Sequence, residues 1–382
     1  MSGTPYIELH AHSAFSFLDG ASSPEELAEQ AAAMGYPAIA LTDHDSLSGS
    51  LAFAHACRSA GIRAITGSEV TLRDGSHLTL LARTATGYAN LCRLITLAHR
   101  DTRPPPDRRA RPPALDPAHL PEHAEGLVCL TGCARDGWLP RRLRTGSAED
   151  VRASVDTLVR VFGAGDVFVE LQRPRTRGDR TQNRMLADLA EACGLRTVAT
   201  GDVHAHHPRR AYLQDAFVAI RNRLTLDGSE HERRGNRDAV LRSPEDMAER
   251  FRDHPDAVYQ TLRLTERLEF DLTSDLGYAY PDFTAAGESA LTTLTRICRM
   301  QMGARYPNAS RRHEALERLE EELKLIDHHG LAGFFLLHRE ILEIAREVAD
   351  ACRPAGSARR SLPPGRGRGS SVGSIVCYLT GL

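Results

Sequence analysis

The first two hundred residues of the chain alternate short apolar runs with alanine- and leucine-rich segments of helical period. This alternation is typical of repeated β–α units. Seven runs are predicted to be strands, at residues 6–9, 38–42, 63–66, 77–81, 127–131, 167–171 and 196–200. Seven strands separated mostly by helices favour a parallel sheet closed into a barrel, with an open doubly wound sheet as the alternative.

Helix signals appear both within this region and beyond it. Ser23 precedes a proline and two acidic residues, which predicts a helix start, and Gly35 predicts its end. Beyond about residue 210 the pattern becomes helical, with a second capped start at Ser243. Amphipathic runs over residues 311–328 and 334–351 predict two further long helices.

Composition excludes several classes of function. The net charge of -2 excludes a globally basic nucleic-acid binder but allows a local basic surface. Lys324 is the only lysine, which argues against a Walker-type phosphate loop and a Schiff-base enzyme. The eight cysteines form no C-x-x-C pair, and no signal peptide or membrane span is evident. We therefore expect a reduced, cytoplasmic protein with no membrane association.

Side chains that bind metals follow five of the predicted strands. They are the His10-Ala11-His12 motif, the Asp43-His44 pair, Glu69, Cys133 and the Asp202-Val203-His204 motif. The carboxyl ends of parallel strands meet on one face, so these residues are expected to converge there. The two histidines of an H-x-H motif on extended backbone point to the same side, which suits a shared ion.

Each of these residues, taken singly, has a structural explanation. Asp43 can cap a helix, Asp202 can form an Asx turn, Cys133 can be a small buried apolar residue, and Glu69 and His99 can be surface residues. Their joint placement at five strand ends nevertheless favours a metal site.

The ligand types indicate the ions and the chemistry. The candidate ligands are His10, His12, Asp19, His44, Glu69, His99, Cys133, Asp202 and His204. Imidazoles and carboxylates with one thiolate favour zinc, manganese or iron, and nine ligands imply two or three divalent ions. Such a cluster can activate water and clamp a phosphate. Asp43 and Glu170 are candidates for general acid–base or supporting roles, or alternatively are only capping or ion-paired residues.

A glycine-rich loop near the C-terminus is a candidate phosphate cradle. Its proposed binding residues are Gly367, Arg368, Gly369, Ser370, Ser371, Gly373 and Ser374. Glycines allow close backbone approach, and amides and hydroxyls donate to phosphate oxygens. A flexible linker is the alternative, although the apolar run over residues 375–379 argues against it.

Together these motifs resemble the N-terminal part of bacterial C-family DNA polymerases of the DNA polymerase III alpha-subunit type, most closely the error-prone branch. The resemblance rests on segments that span the chain, including residues 8–13, 17–20, 41–45, 67–69, 87–91, 96–99, 131–133, 169–172, 199–204, 241–247 and 277–281. The first of these are similar to the opening of the polymerase and histidinol phosphatase (PHP) domain.

The resemblance implies an organisation in three parts. Residues 5–210 are expected to form a distorted seven-stranded β/α (TIM-like) PHP barrel, residues 211–281 a helical connecting segment that completes it, and residues 282–382 the incomplete α+β start of the polymerase palm. The nine candidate ligands occupy the family's metal positions, which implies 3'-to-5' exonuclease or related phosphoesterase activity on DNA.

The resemblance also implies limits. The palm's catalytic carboxylates are expected beyond Leu382, so this polypeptide is not expected to polymerise DNA alone. The rest of a split polymerase, or other repair and replication proteins, are therefore expected partners besides DNA. Two alternatives remain open: a non-catalytic domain in which metal stabilises the polymerase fold, and a stand-alone small-molecule phosphatase.

Overall fold

The computed structural model of the protein describes residues 6–102, 111–277, 280, 284, 287–354, 356–357 and 372–382. The chain divides into two compact units, Met1–Leu276 and Gly277–Leu382, which we call the N-terminal and C-terminal units. Within the described ranges, no helix is both long enough and apolar enough to cross a membrane.

The N-terminal unit is built on one six-stranded sheet whose strands are in sequence order. They are β1 (Ala38–Leu41), β2 (Arg63–Thr71), β3 (His77–Ala82), β4 (Leu127–Leu130), β5 (Val167–Gln172) and β6 (Arg196–Thr200). β1 pairs with β2 in parallel, and β4, β5 and β6 form a second parallel set. The prediction of an α/β unit is confirmed.

The prediction of a wholly parallel sheet is wrong, because β3 runs antiparallel to both of its neighbours. A tight connection joins β2 to β3, in which Gly75 adopts φ +77° and donates its N–H to the Leu72 carbonyl. The Asp74 carboxylate accepts a hydrogen bond from Ser76 N. So short a connection can only reverse the chain direction, since a parallel crossover needs a dozen or more residues.

The predicted first strand, residues 6–9, does not form a strand. The segment makes only isolated parallel bridges, Glu8 to Ile39 and Ala11 to Val203, and so lies between β1 and the residues after β6. The Glu8 carboxylate accepts hydrogen bonds from Gly201 N at 2.9 Å and His10 N at 3.0 Å. The Glu8 side chain thus accepts hydrogen bonds from backbone N–H groups that would pair with carbonyl groups in a regular β-ladder. The sheet therefore has six strands rather than seven.

Helices cover the sheet: α1 (Pro24–Ala33), α2 (Ser50–Ser59), α3 (Ala85–His99), α4 (Trp138–Thr145), α5 (Ala148–Phe162), α6 (Asp179–Ala192), α7 (Ala211–Asn222), α8 (Pro244–Arg250) and α9 (Pro255–Thr265). Both predicted helix starts are confirmed: Ser23 forms a capping box with Glu26, and Ser243 accepts from Asp246 N.

The sheet has an apolar core on each face. One face presents alternate residues of every strand, among them Ile65, Leu81 and Phe168, and is closed by Leu264 of α9. The other face packs against the surrounding helices, with Leu27 and Phe53 among its buried residues. This alternation leaves the carboxyl edge of the parallel strands free for polar residues.

The C-terminal unit, in its described part, consists of helices α10 (Ala290–Arg305), α11 (Ala309–His328), α12 (Ala332–Cys352) and α13 (Ile375–Thr380) and contains no strand. The two long amphipathic helices predicted from sequence are confirmed in α11 and α12. Leu294, Leu319 and Val376 lie in its core. The α+β palm segment predicted here remains a prediction.

Candidate metal centre

Two short motifs lie side by side at the carboxyl edge of the sheet. His10 and His12 flank Ala11, Asp202 and His204 flank Val203, and Ala11 bridges to Val203. Ala11 and Val203 are buried in the apolar core. Because side chains alternate along extended backbone, His10 and His12 point together to the side opposite Ala11, where Asp202 Oδ1 lies 3.6 Å from His12 Nε2.

Loops and strand ends add further side chains to this cluster. His44 follows β1, Glu69 lies near the end of β2, and Asp19 lies in the loop before α1. His44 Nδ1 is 3.0 Å from Glu69 Oε2, and His44 Nε2 is 3.3 Å from Asp19 Oδ2. The structure therefore brings seven of the nine predicted ligands into one cluster, namely His10, His12, Asp19, His44, Glu69, Asp202 and His204.

The centre of the cluster contains two buried imidazole nitrogens without hydrogen-bond partners. They are Nε2 of His10 and Nε2 of His12, and both rings are fully buried. His10 Nδ1 lies 2.7 Å from Glu170 Oε1, where a carboxylate can only accept, so the proton is on Nδ1. Burial lowers the pKa of His10, but the charges of Glu170 and Glu69 raise it well above its usual value, so a bound cation would replace the positive charge of a proton at Nε2. The donor set therefore fits a metal.

Three groups of side chains place their donor atoms within 4.8 Å of one another: His12, His44 and His204; His10, His12 and Asp202; and His44, Glu69 and His77. His12 and His44 each belong to two of these groups. Shared ligands of this kind are suited to more than one ion.

His77 belongs to the cluster but was missed by the sequence analysis. Its Nδ1 lies 3.1 Å from Glu69 Oε1. His77 begins β3, and because β3 is antiparallel, the start of that strand lies at the edge where the parallel strands end. The Asp74-Gly75 pair is a recognised hairpin signal and would have revealed the reversal.

Cys133 lies at the rim of the same cluster. Its Sγ is 3.7 Å from His77 Nδ1 and accepts from Asp136 N at 3.4 Å. Burial, together with the negative charges of Glu69 and Asp202, raises the pKa of the Cys133 thiol well above its usual value. The protein alone therefore favours the neutral thiol, and a bound cation is needed to produce a thiolate.

His99 lies beside the cluster rather than within it. It ends α3, and its Nε2 is 2.8 Å from the Asp45 carbonyl oxygen. A carbonyl oxygen only accepts, so this nitrogen carries a proton and is not available as a ligand in this arrangement. The contact holds the residue next to His44 in place.

Asp43 and Glu170 contact the cluster through other side chains. Asp43 accepts from Ser13 N at 2.6 Å and from Ser16 Oγ at 2.7 Å, and Ser16 Oγ in turn accepts from His44 N at 3.0 Å. Glu170 fixes the His10 ring, as described above. Both carboxylates thus occupy positions that orient ligands.

Arginines that the sequence analysis did not identify surround the cluster. Arg234 donates to Asp202 Oδ2 at 2.7 Å, and Arg221 lies 3.4 Å from Asp19. Burial opposes the ionisation of Asp202, yet Arg234 and His204 hold its pKa well below the usual value. Arg135, Arg221 and Arg234 line a cavity of about 360 Å³, together with the ligands Asp19 and Asp202.

Three non-glycine residues near the cluster have left-handed backbone conformations. They are Leu18 at φ +60°, Asp45 at φ +47° and Asp202 at φ +50°. Such conformations cost about 1–3 kcal/mol each and persist where the surrounding structure enforces them. Leu18 and Asp45 are adjacent to the ligands Asp19 and His44, and Asp202 is itself a ligand, so the uncommon backbone conformations coincide with the site.

The candidate phosphate loop is described only in part, since Gly367, Arg368, Gly369, Ser370 and Ser371 lie outside the described residues. The Ser374 hydroxyl donates to Glu322, and Ile375 N donates to Glu322 Oε2 at 2.9 Å. The Gly373 carbonyl accepts from Arg318. A phosphate would have to compete with Glu322 for the Ser374 hydroxyl.

Comparison with known proteins adds a family context. Residues 8–174 match the model of the PHP domain, and residues 292–382 match that of the bacterial DNA polymerase III alpha NTPase domain. The error-prone DNA polymerase of Symbiobacterium thermophilum is 38% identical over 373 residues, which cover 93% of this chain and 33% of the relative. That of Cutibacterium acnes is 35% identical over 390 residues, which cover 99% of this chain and 32% of the relative.

Among solved structures, the lesion-specific endonuclease EndoQ of Pyrococcus furiosus aligns with 52% of this chain and 48% of its own, at 15% identity and a TM-score of 0.34. So weak a superposition carries no weight for fold or substrate. The chain spans about a third of the length of the curated relatives it matches. Residues 8–174 are thus similar to PHP domains and residues 292–382 to bacterial DNA polymerase III alpha NTPase domains, and nearly the whole chain is similar to about a third of the length of these error-prone DNA polymerases.

Proposed function

We propose that the N-terminal unit is a metal-dependent phosphoesterase that removes nucleotides from the 3' end of DNA, within a protein of the error-prone DNA polymerase type. The observation that carries the proposal is that the Nε2 atoms of His10 and His12 are buried and lack hydrogen-bond partners. The carboxylates of Glu69 and Asp202 lie 3.5 and 3.6 Å from His12 Nε2. The PHP match and the names of the full-length relatives support phosphate esters and DNA as the substrate class.

We assign the metals to the three ligand groups that the structure forms. His10, His12, His44, Glu69, His77, Asp202 and His204 would hold two or three zinc, manganese or iron ions, with Asp19 and Cys133 beside them. Bound metals of this kind supply Lewis acidity and a water of lowered pKa.

The chain's own residues prepare the site for a phosphate. Glu170 holds the proton on His10 Nδ1, and Asp43 and Ser16 fix the backbone of His44. Arg221 and Arg234 place positive charge in the cavity above the ligands, where it attracts a phosphodiester.

An exposed aromatic side chain favours a nucleic-acid strand over a small phosphate ester. Phe17 lines the cavity and is 82% exposed. A single-stranded base can stack on such a ring, and base–aromatic stacking contributes about 1–3 kcal/mol. We assign Phe17 to the terminal base of the strand.

For the whole chain, we propose that residues 5–210 form the PHP barrel, that residues 211–281 complete it, and that residues 282–382 begin the polymerase palm. The glycine loop would then bind the triphosphate of an incoming nucleotide. DNA and the other parts of a replication or repair polymerase are the proposed partners.

The test is release of nucleotides from a 3'-labelled single-stranded oligonucleotide with manganese or zinc. We expect His12→Ala and Asp202→Ala to abolish release, and His313→Ala, whose side chain is 79% exposed on α11, to retain it. Phe17→Ala should raise KM for the oligonucleotide and leave turnover of a small phosphomonoester unchanged.

Equal rates for the wild type and both ligand variants would overturn the proposal. Metal-dependent thermal stability without nuclease activity in any metal would instead identify a non-catalytic metal site. Faster turnover of the small phosphomonoester than of the oligonucleotide would indicate a small-molecule phosphatase.

A further inference from the structure

A second polar pocket lies in the N-terminal unit, between the end of β5 and helix α8. Its cavity is about 510 Å³ and is lined by six arginines and three acidic residues. The arginines are Arg173, Arg175, Arg180, Arg242, Arg250 and Arg252. None of these residues contacts the ligands described above among the interactions of the described residues.

Three arginines of the pocket share the carboxylate of Asp238. Arg242 and Arg250 each place an Nη2 atom 2.8 Å from the same oxygen, Asp238 Oδ1. Arg175 Nε lies 3.7 Å from that oxygen as well. One carboxylate therefore faces three guanidinium groups, which leaves an excess of positive charge at Asp238. Two other arginines of the pocket are paired, since Arg173 contacts Asp253 and Arg252 contacts Glu249.

Two guanidinium nitrogens in the pocket are buried without hydrogen-bond partners in the described structure, Nε of Arg173 and Nε of Arg242. Arg173 is only 5% exposed. Burial lowers the pKa of Arg250, and the charges of Arg242 and Arg175 add to this effect against the attraction of Asp238. An anion bound by the exposed arginines would offset the positive charge of these buried guanidinium groups.

A purely structural role accounts for only part of the cluster. Arg173 and Arg250 are buried and each donates to the other's carbonyl oxygen, so they fasten the end of β5 to α8. Arg175 is different, because its side chain is 66% exposed. Its backbone is left-handed, with φ +55°, an uncommon conformation for a bulky residue.

The pocket and the metal centre are linked by one short segment of chain. Arg234 donates to Asp202 in the metal centre, and Asn236 donates to the Pro174 carbonyl next to Arg175. Asp238, two residues further on, forms the ion pairs with the pocket arginines. The Cα atoms of residues 234 and 238 are at most about 15 Å apart. At about 3.4 Å per nucleotide in a stacked strand, this distance corresponds to at most about four nucleotides.

We propose that the arginine pocket binds a backbone phosphate of the nucleic-acid strand whose 3' end lies at the metal centre. Arg175 and Arg180 are the accessible donors, and the buried arginines supply the field. The inference rests on the proposed function for the identity of the strand. It adds a second point of attachment that fixes the direction in which the strand leaves the site.

The test is binding of a fluorescent single-stranded oligonucleotide with cleavage-resistant phosphorothioate linkages to the metal-loaded protein, at several salt concentrations between about 50 and 200 mM. We expect the Arg175→Ala, Arg180→Ala double variant to weaken binding several-fold and to reduce the salt slope by about 0.7, the contribution of the one single-strand phosphate that the pocket holds. Arg152→Ala, which removes a 53% exposed arginine from α5, is the matched control and should bind as the wild type does.

A change of opposite sign is expected from Asp238→Asn, which removes the shared carboxylate and should tighten oligonucleotide binding. Unchanged affinity and salt slope in the double variant would overturn the proposal. The proposal would also be overturned if Arg175 were needed for binding of inorganic phosphate but not for binding of the oligonucleotide. The pocket would then bind a free anion. Because binding is measured with an oligonucleotide that is not cleaved, absence of nuclease activity would affect the proposed function and leave this result intact.

Discussion

The two units of the chain differ in what they bury. The N-terminal unit encloses ionisable side chains such as His10, His12, Glu69 and Glu170, each at most 1% exposed. In the described part of the C-terminal unit, the polar residues that are buried are only Thr293 and Thr380. Burying charge is costly unless it is paired or bound to metal, whereas an apolar helical core is stable by itself. The stability of one unit should therefore depend on bound metal and that of the other should not.

Removal of metal is expected to have the largest effect. A ligand present at about a thousandfold above its dissociation constant stabilises the folded state by about 4 kcal/mol, so chelation should destabilise the N-terminal unit by this order. Hydrogen exchange followed by mass spectrometry should show faster exchange in β1, β2 and β6 after chelation, and no change in α10 and α11. Equal acceleration in both units would contradict the comparison.

Truncation of the apolar core should destabilise the C-terminal unit and leave the N-terminal unit unchanged. Leu319 is 1% exposed in the core of the C-terminal unit, and Leu319→Ala should cost about 2–5 kcal/mol by leaving a cavity. Leu325→Ala on the same helix, at a side chain that is 61% exposed, is the control. Exchange should accelerate in α10 and α11 with metal content unchanged. A loss of bound metal in Leu319→Ala would show that the two units are coupled.

A smaller effect is expected from Glu170→Gln, which keeps the shape of the side chain that holds His10. Loss of the charged partner should weaken metal affinity by about 10–100-fold, as is usual for residues that orient metal-binding histidines. Titration of metal into the stripped protein measures this, with Glu317→Gln, a 69% exposed site, as control. Unchanged affinity would show that Glu170 does not act through His10.

The finest distinction comes from two buried thiols, Cys57 in the N-terminal unit and Cys298 in the C-terminal unit. Burial raises the pKa of each to about 12, so each thiol is protonated at pH 8 and reacts only after local opening. The stability that this gives is complete below the pKa of an unfolded thiol, about 8.5, and declines as pH rises towards 12. At pH 8 a thiol reagent should label exposed Cys352 first, and of the two buried thiols compared, a chelator should accelerate labelling of Cys57 and leave Cys298 unchanged. Equal acceleration at Cys298 would contradict this.

Local signals in the sequence located most of the sheet. The predicted strands at residues 127–131, 167–171 and 196–200 correspond to β4, β5 and β6, because short buried apolar runs between turns have few alternatives. The direction of β3 is a property of its connection rather than of its own residues. Missing that connection hid His77, while the ligands that follow parallel strands were found.

The remaining parts of the site depend on residues that carry no periodic pattern. Arg221 and Arg234 come from segments beyond the last strand, and only the fold returns them to the cavity. The segment over residues 6–9 has the composition of a strand, but the Glu8 side chain takes two of the amides around it. Such tertiary hydrogen bonds cannot be read from a local window of sequence.

The most direct test of the metal centre is the number of ions bound to each chain, measured by native mass spectrometry after purification without chelators. We predict two or three divalent ions in the wild type and fewer in His12→Ala, since His12 belongs to two of the three ligand groups. A wild-type chain that binds no ion, or a His12→Ala variant that binds as many as the wild type, would contradict the account.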